Sequence, residues 1–302
     1  MAKPALGFLG LGNMGGGMAQ RLLRAGFPLS AYDPVTQRMQ AAVAAGAMAR
    51  RSPREVAAAS EIVLSSLPTP ASVEEAVLGV EGLIHGIRPG GIYIDLSTID
   101  PMTSRRMHAA VAEKRARMLD CPVGKGPAAA AKGELTLMVG GDAAVLAEVR
   151  DVLAAIGTDI FHCGPAGSGA AAKLVNNLVS CAICALDAEA LVLAAKAGVE
   201  LPVLVEVMKS TAADHRHLHL TIDNVLNGMF EPQFRLALAE KDLRLAVQMG
   251  IELGVPVLLG EAAHMLHRMG SGEGLAEEHQ SAVIKPLERI AGVTARRRRV
   301  FA

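Results

Sequence analysis

A short run of glycines near the amino terminus constrains the fold of this chain more than any other feature. Gly10, Gly12 and Gly15 have the spacing G-x-G-x-x-G, and they separate an apolar strand-like segment (5–10) from a helical pattern that begins at Met14. A second strand-like segment (28–33) ends in Asp33. A strand, a glycine turn, a helix and a later acidic residue, in this order, are typical of a dinucleotide-binding fold.

Each glycine in this pattern has a separate physical role. Gly10 would make the tight turn, Gly12 would let the backbone approach a pyrophosphate, and Gly15 would let helix and strand pack closely. The backbone N–H groups freed at the helix start would supply the anion site. The predicted cofactor-binding residues of this segment are Gly10, Leu11, Gly12, Asn13, Met14 and Gly15.

Asp33 indicates which dinucleotide the fold would take. A carboxylate at this position accepts hydrogen bonds from the ribose hydroxyls and repels a 2′-phosphate, so NAD is favoured over NADP. Arg38 follows about one helical turn later and could soften that preference, which leaves NADP possible.

The order of strand-like and helical segments predicts an α/β chain with two domains. Residues 5 to 162 alternate between the two patterns, which predicts a mostly parallel, doubly wound sheet of the Rossmann type. After Gly164 only helical patterns follow, and the first of them is long and apolar (about 168–196). We therefore expect a dinucleotide-binding domain over 1–164 and an all-helical domain over 165–302 for substrate binding and oligomerisation, joined by this interdomain helix.

Composition and charge exclude several function classes. The chain has 302 residues and equal numbers of basic and acidic residues, 30 each, so no overall charge attracts nucleic acid or a membrane surface. Lys173, Asp187 and Glu189 interrupt the longest apolar run, and no secretory signal is evident. We therefore expect a cytoplasmic protein without nucleic-acid or membrane partners, and a solvated arginine-rich tail over 296–299.

Cysteine and histidine spacing gives no metal site. Cys181 and Cys184 lie inside an apolar helical pattern without a second pair, so we interpret them as buried core thiols. His215, His217 and His219 alternate and share no ligand face, so we interpret them as surface side chains.

Two further segments carry charged or amide side chains where a ligand could bind. The first is Gly124, Lys125 and Gly126, which follow a strand at the edge where parallel sheets bind ligands. This segment predicts a binding site for an anionic head group.

The second segment is on the long helix, where Lys173 and Asn177 lie four residues apart on one face. An ammonium near a helix start opposes the helix dipole, which favours loss of its proton and suits Lys173 to proton transfer. The alternative for this pair is a lysine that reaches to solvent beside surface amides.

Four segments, taken together, resemble the signature motifs of the β-hydroxyacid dehydrogenase family, which includes 3-hydroxyisobutyrate dehydrogenase and tartronate semialdehyde reductase. They are "GFLGLGNMGGGMAQRLLRAG", "DCPVGKGPAAAAKGELTLMVGG", "GSGAAAKLVNNL" and "EKDLRLA". The resemblance spans essentially the whole chain. It implies a Rossmann domain, a long interdomain helix, a helical domain that builds dimers or tetramers, and oxidation of a 3-hydroxy acid by NAD(P) or the reverse reduction.

The resemblance also implies roles for single residues. By motif position, Lys173 is similar to the catalytic lysine, Asn177 to the amide that orients the substrate, and Lys241 to the lysine that approaches the cofactor. Further positions match those that line the nicotinamide and its ribose, namely Leu67, Pro68 and Thr98.

One segment departs from the family pattern. Most members have Ser-Gly-Gly where this chain has Gly124, Lys125 and Gly126. The pattern resembles that of 3-sulfolactaldehyde reductase, in which an arginine at the Lys125 position faces the sulfonate. Because lysine is a point charge and arginine a planar fork, a sulfonate, a carboxylate and a longer ω-hydroxy acid all stay open.

The sequence therefore predicts an NAD-dependent oxidoreductase that interconverts a small anionic 3-hydroxy acid, or hydroxy sulfonate, and its semialdehyde or keto form. Lys173 would be the general acid and base, and no metal is required. Two alternatives are an imine reductase-like enzyme and a dinucleotide-binding module without catalysis. Resemblance to imine reductases would predict an Asp or a Tyr at the position of Lys173.

Overall fold

The computed structural model of the protein describes residues 3–297. Within them, the chain divides into two compact units between Leu174 and Val175, inside the long helix. The first unit contains one mixed sheet. Its strands are β1 Leu6–Leu9, β2 Leu29–Tyr32, β3 Met48–Ala49, β4 Ile62–Ser65, β5 Ile92–Asp95, β6 Arg117–Asp120, β7 Val123–Gly124, β8 Leu135–Gly141 and β9 Gly157–Gly164.

The sheet has the strand order β3-β2-β1-β4-β5-β6-β8-β7, with β9 also paired to β8. Pairing is parallel from β3 to β6 and between β8 and β9, whereas β8 is antiparallel to both β6 and β7. The predicted doubly wound, mostly parallel sheet is confirmed. Neighbouring strands that are remote in sequence end at one edge, which brings the turns after β1, β4 and β5 together.

Helices cover both faces of this sheet. They are α1 Gly15–Arg24, α2 Thr36–Ala44, α3 Pro53–Ala58, α4 Pro70–Leu78, α5 Pro101–Glu113, α6 Gly126–Lys132, α7 Ala143–Glu148 and α8 Arg150–Ala154, with a 3-10 turn at Leu83–His85. Alternate strand residues enter different cores: Phe8 lies in one apolar cluster and Leu9 in the other. A strand buried on both faces explains the continuous apolar runs in the sequence.

Polar caps set several helix starts. Thr69 and Asp100 accept hydrogen bonds from Ser72 N and Thr103 N, and each precedes a proline in the first helical turn. Serine-type or aspartate caps followed by proline are the expected start signals. The turns that begin α4 and α5 are therefore defined locally.

The second unit is helical. Its helices are the end of α9 Ser168–Lys196, then α10 Leu201–Lys209, α11 Arg216–Leu220, α12 Ile222–Leu226, α13 Leu236–Leu253, α14 Leu258–Gly272 and α15 Ile284–Ala291, with a 3-10 turn at Gln280–Val283. Leu, Val and Ala side chains fill its core around Leu236 and Leu243, since the chain has no Trp. The predicted helical domain, with its 29-residue first helix, is confirmed. The domain boundary predicted at residue 164 stays a proposal.

By length and composition alone, one helix of the described residues, α9, could cross a membrane. The core helix of a soluble protein passes the same test, and 44% of its apolar window is buried within the protein. This finding by itself is weak evidence for a membrane span.

Part of the arginine-rich tail is held against the second unit. Arg296 forms an ion pair with Glu288 at 2.5 Å and lies over the Phe230 ring, and Arg297 pairs with Asp223. The expectation of a solvated tail is wrong for Arg296, because Glu288 and the Phe230 ring lie within its reach, whereas Arg297 is exposed. Residues 298 and 299 fall outside the described part of the chain.

Candidate active site

The glycine turn between β1 and α1 has the geometry that its spacing predicts. Gly10 has φ of +85°, and a Cβ there would lie 2.4 Å from the carbonyl oxygen of Ser66. A Cβ at Gly15 would lie 1.9 Å from the Gly10 oxygen. Any side chain at position 15 would therefore prevent the close approach of α1 to the turn. A Cβ at Gly12 would meet no described atom within 4 Å. The open face at Gly12 is where a pyrophosphate would approach, and the turn therefore fits a dinucleotide.

Asp33 lies at the end of β2 and is buried. Its carboxylate accepts hydrogen bonds from Leu11 N at 2.7 Å and from Val35 N at 2.8 Å. Arg38 lies 3.5 Å away with a half-exposed side chain. Because each carboxylate oxygen has two lone pairs, Asp33 can fix the glycine turn and still accept from a ribose hydroxyl.

The predicted nicotinamide-lining residues lie in two neighbouring turns. Leu67 and Pro68 follow β4, and Thr98 follows β5. Since β4 and β5 are adjacent and parallel, these turns lie at the same edge of the sheet as the glycine turn. All three residues therefore lie at the edge of the sheet that carries the glycine turn, and their role beside a nicotinamide stays a prediction.

Lys125 lies in a strained backbone conformation between β7 and α6. Its φ is +77°, and apart from Arg115 it is the only non-glycine residue of the described chain with positive φ. Its Nζ forms an ion pair with Asp159 Oδ2 on β9 at 2.5 Å. The hydrogen bond from Lys125 holds the pKa of Asp159 below its usual value. An incoming acid group would have to compete with this internal carboxylate, which the sequence did not predict.

Lys173 and Asn177 are both buried, at 9% and 6% exposure. The alternative of a solvent-reaching lysine beside surface amides therefore fails for this pair, although Asn176 is exposed. Lys173 lies in the second turn of α9, and Asn177 one turn further along the same helix. Burial removes both polar groups from most contact with bulk water.

Asp120, at the end of β6, holds the start of the helix that carries Lys173. It accepts hydrogen bonds from Gly167 N at 2.8 Å, Ala170 N at 2.9 Å and His108 Nε2 at 3.0 Å. Burial acts to raise the pKa of Asp120, but these three donors outweigh it and leave the pKa below its ordinary value. The ionised carboxylate offsets the positive end of the helix dipole. The dipole argument for Lys173 is therefore incomplete, and no sequence signal indicated Asp120.

Asp242 was also missed. It is buried on α13 and accepts a hydrogen bond from Asn177 Nδ2 at 2.6 Å, while Lys241 Nζ lies 3.1 Å from its other oxygen. Asn176 Nδ2 donates to Asn177 Oδ1 at 3.0 Å. Because one partner accepts and the other donates, the orientation of the Asn177 amide is defined. The position of Asp242 directly after the predicted Lys241 was the available signal.

The remaining candidate residues lie apart from these groups. Cys181 and Cys184 are free thiols in the helical core, as predicted, and burial raises the pKa of Cys184. His219 is exposed, but His215 and His217 are half-buried and lie beside Asp187 and Ser180, so the surface interpretation is wrong for these two. Over residues 3–297, no group of three His, Cys, Asp or Glu could hold a metal ion.

Comparison with known proteins identifies the family. Residues 5–164 match the model of the NAD binding domain of 6-phosphogluconate dehydrogenase, and residues 167–287 match that of NADP-dependent 3-hydroxyisobutyrate dehydrogenase. The chain belongs to the β-hydroxyacid dehydrogenase family. It is an NAD(P)-dependent oxidoreductase, so the module without catalysis is not supported.

Members with different substrates are similar to this dehydrogenase. It is 37% identical to 2-(hydroxymethyl)glutarate dehydrogenase of Eubacterium barkeri, over 96% of both chains. It is 34% identical to 3-sulfolactaldehyde reductase of Escherichia coli, over 97% of this chain and 98% of the other. A solved Mycobacterium tuberculosis 3-hydroxyisobutyrate dehydrogenase with L-serine superimposes with a TM-score of 0.88 at 33% identity, covering 94% and 99%. The family is therefore clear, and these names do not agree on a substrate.

Proposed function

We propose that this enzyme interconverts a small anionic 3-hydroxy acid or hydroxy sulfonate with its semialdehyde or keto form, and that Lys173 moves the hydroxyl proton. The observation that carries the proposal is the burial of a lysine near the start of α9, on a helix end held by Asp120. A buried amine on a rigid helix can be positioned within hydrogen-bond reach of a substrate hydroxyl.

The first unit supplies the groups that would hold the dinucleotide. The glycine turn offers backbone N–H groups to the pyrophosphate, and Asp33 offers its carboxylate to the adenosine ribose. When bound, NAD(P) accepts or returns the hydride. Asp33 favours NAD, whereas the half-exposed Arg38 beside it is available to a 2′-phosphate. Leu67, Pro68 and Thr98 would line the nicotinamide end, and Lys241 would approach the cofactor as the family resemblance implies.

Lys173 would act through its Nζ atom. In oxidation the neutral amine takes the hydroxyl proton of the substrate, and in reduction the ammonium returns it to the forming alkoxide. Asn177 would orient the hydroxyl or the acid group through the part of its amide that Asp242 and Asn176 leave available. Neither role requires a metal.

Gly124, Lys125 and Gly126 would bind the acid group of the substrate. Lys125 contributes a positive charge, and the neighbouring glycines leave the backbone accessible. Because Lys125 already pairs with Asp159, a sulfonate or a carboxylate of the substrate would have to share or displace this partner. Similarity to enzymes named for 2-(hydroxymethyl)glutarate and 3-sulfolactaldehyde supports both classes.

We also propose a cytoplasmic homodimer or homotetramer. The exposed large apolar side chains of α9 lie within about 40° of one another around the helix axis, on one face. They are Val175, Val179, Leu186 and Leu193. An apolar stripe that runs along most of α9 is better explained by contact with a second copy than by solvent.

The test is NAD reduction by wild type and by Lys173→Ala, with Lys196→Ala on the same helix as control. The substrates are 3-hydroxyisobutyrate, glycerate, L-threonate, 4-hydroxybutyrate, L-serine, 2-(hydroxymethyl)glutarate and 2,3-dihydroxypropane-1-sulfonate. We expect kcat to fall by roughly 10²- to 10⁴-fold in Lys173→Ala, the usual contribution of a general acid or base, and to stay unchanged in the control. Equal activity of Lys173→Ala and wild type would remove Lys173 from the mechanism.

A further inference from the structure

A buried hydrogen-bond network joins the two turns that follow β4 and β5. Ser65 and Asp95, the last residues of these strands, lie directly opposite each other in the parallel pairing. Ser65 Oγ donates to Asp95 Oδ1 at 2.8 Å and also contacts Tyr93 Oη at 2.8 Å. The network begins where the regular sheet ends.

The network continues into both turns. Ser97 N donates to Asp95 Oδ1 at 3.1 Å, and the Ser97 hydroxyl accepts from Leu67 N at 2.9 Å. The last backbone hydrogen bond between the two segments runs from Leu96 N to the Ser65 oxygen. Beyond it, the Ser97 hydroxyl forms a hydrogen-bonding link between the turn of Leu67 and the turn of Thr98.

Stability alone does not explain this arrangement. Asp95 is 1% exposed, and its Oδ2 has no hydrogen-bond partner within the described chain. A buried polar atom without a partner costs free energy that an apolar side chain of similar size would avoid. An unsatisfied buried group next to a candidate site indicates that the position is retained for another reason.

We propose that Asp95 and Ser97 are positioning residues for hydride transfer, which keep the turns of Leu67 and Thr98 at one spacing around the nicotinamide ring. The proposal rests on the proposed placement of that ring beside Leu67 and Thr98. Asp95 acts on Ser97, and Ser97 acts on the Leu67 backbone; neither touches the reacting atoms. A ring held between two fixed turns presents one face to the substrate, and turns free to separate would let the ring tilt or rotate.

Burial raises the pKa of Asp95, and the nearby Asp120 charge acts in the same direction, since the two residues are opposite each other on β5 and β6. Because an asparagine amide keeps an acceptor oxygen at Oδ1, Asp95→Asn would not break the link, so Ser97 is the residue to change.

The experiment compares Ser97→Ala with Ser104→Ala. Both replace a buried serine of the first unit, but the Ser104 hydroxyl has no partner in the described chain, so its loss breaks no link. The readouts are kcat, the KM values for NAD and for the hydroxy acid, and deuterium transfer from NADH labelled at the 4R or the 4S position. Thermal unfolding of each variant reports its structural effect separately.

We expect Ser97→Ala to lower kcat by on the order of 10- to 100-fold, the size of effect that a small misplacement of reacting groups produces. It should raise the KM for NAD and reduce the preference for one deuterated face, with little change in the KM for the hydroxy acid. Ser97→Thr restores the hydroxyl and should restore the preference. If Ser97→Ala yields too little folded protein, Ser97→Cys replaces it in the experiment. The cysteine is similar in size to serine but is a weak acceptor, so it should lower kcat and the face preference as Ser97→Ala does.

The inference is overturned if Ser97→Ala and Ser97→Cys keep wild-type kcat and face preference, as Ser104→Ala should. That result differs from failure of the proposed function, which would appear as full activity of Lys173→Ala. If Lys173→Ala is inactive and the Ser97 variants are unchanged, the general acid and base stands and the positioning role does not.

Discussion

At Lys125, the effect of a substitution on stability should differ most clearly from its effect on substrate binding. Lys125→Gly is the substitution that tests this. A non-glycine residue with φ of +77° costs roughly 1–2 kcal/mol relative to glycine in the folded chain. Glycine in turn loses more conformational entropy on folding, roughly 0.5–1 kcal/mol. The difference predicts that Lys125→Gly leaves the free energy of unfolding unchanged or raises it by up to about 1.5 kcal/mol, less the contribution of the partly exposed ion pair with Asp159, roughly 0–1 kcal/mol.

The effect on the substrate should have the opposite sign. A hydrogen bond from a charged donor contributes roughly 1.5–3 kcal/mol, so loss of the Lys125 ammonium should raise the KM for the anionic hydroxy acid by about 10- to 100-fold. The KM for NAD should not change. Urea unfolding and steady-state kinetics on the same preparations measure both quantities.

Arg115→Gly is the matched control for this substitution. Arg115 also has positive φ, +55°, but it follows α5 and belongs to no candidate site. It should gain stability as Lys125→Gly does and keep wild-type kinetics. Asp159→Asn supplies the converse arm, because removing the internal partner of Lys125 frees the ammonium and should lower the KM. A wild-type KM for the hydroxy acid in Lys125→Gly would refute the reasoning. So would a clear loss of stability in Lys125→Gly that is not seen in Arg115→Gly.

Two other features give independent tests. Asp120→Asn should lower the free energy of unfolding at pH 7 by roughly 1–3 kcal/mol, because the amide keeps one acceptor oxygen and leaves at least one of the three donors without a partner; Asp142→Asn, at an exposed cap of α7, should change it little. Since the folded pKa of Asp120 lies below its ordinary value of 3.8, this difference should be full at neutral pH and diminish as the pH falls below about 4, which urea titrations at several pH values would show. Leu186→Lys with Leu193→Lys should dissociate the proposed oligomer in sedimentation velocity, whereas the same change at exposed Leu220 should not; an unchanged sedimentation coefficient in the double variant would refute the α9 interface.

The features that could be predicted from the sequence are those with a local pattern. The glycine turn, Asp33 and the 29-residue helix each depend on neighbouring residues, so spacing is sufficient to locate them. The two-residue strand Met48–Ala49 was not predicted, because its exposed side chains show no strand pattern. The antiparallel pairing of β8 with β6 was also not predicted, since strand direction depends on the path of the connection rather than on composition.

Contacts between distant segments explain what was missed at the site. Asp120 accepts from backbone N–H groups 47 and 50 residues later, and Asn177 reaches Asp242 across 65 residues. A backbone donor has no residue type, so no motif can indicate the first contact. Asp159 changes the environment of Lys125 in the same way, from 34 residues away.

These contacts share a physical logic. Asp95, Asp120 and Asp242 are each at most 2% exposed, which is costly for a carboxyl group, yet each holds a neighbouring segment that carries a candidate site residue. Asp95 supports the turn before Thr98, Asp120 supports the helix start before Lys173, and Asp242 supports the Asn177 amide. Hydride transfer and proton transfer both lose rate steeply when reacting groups move by about 1 Å, so fixed supports act on the barrier itself. A chain selected for stability alone would replace these carboxyl groups with apolar side chains; one that must hold a ring, an amine and an amide in fixed positions has reason to keep them.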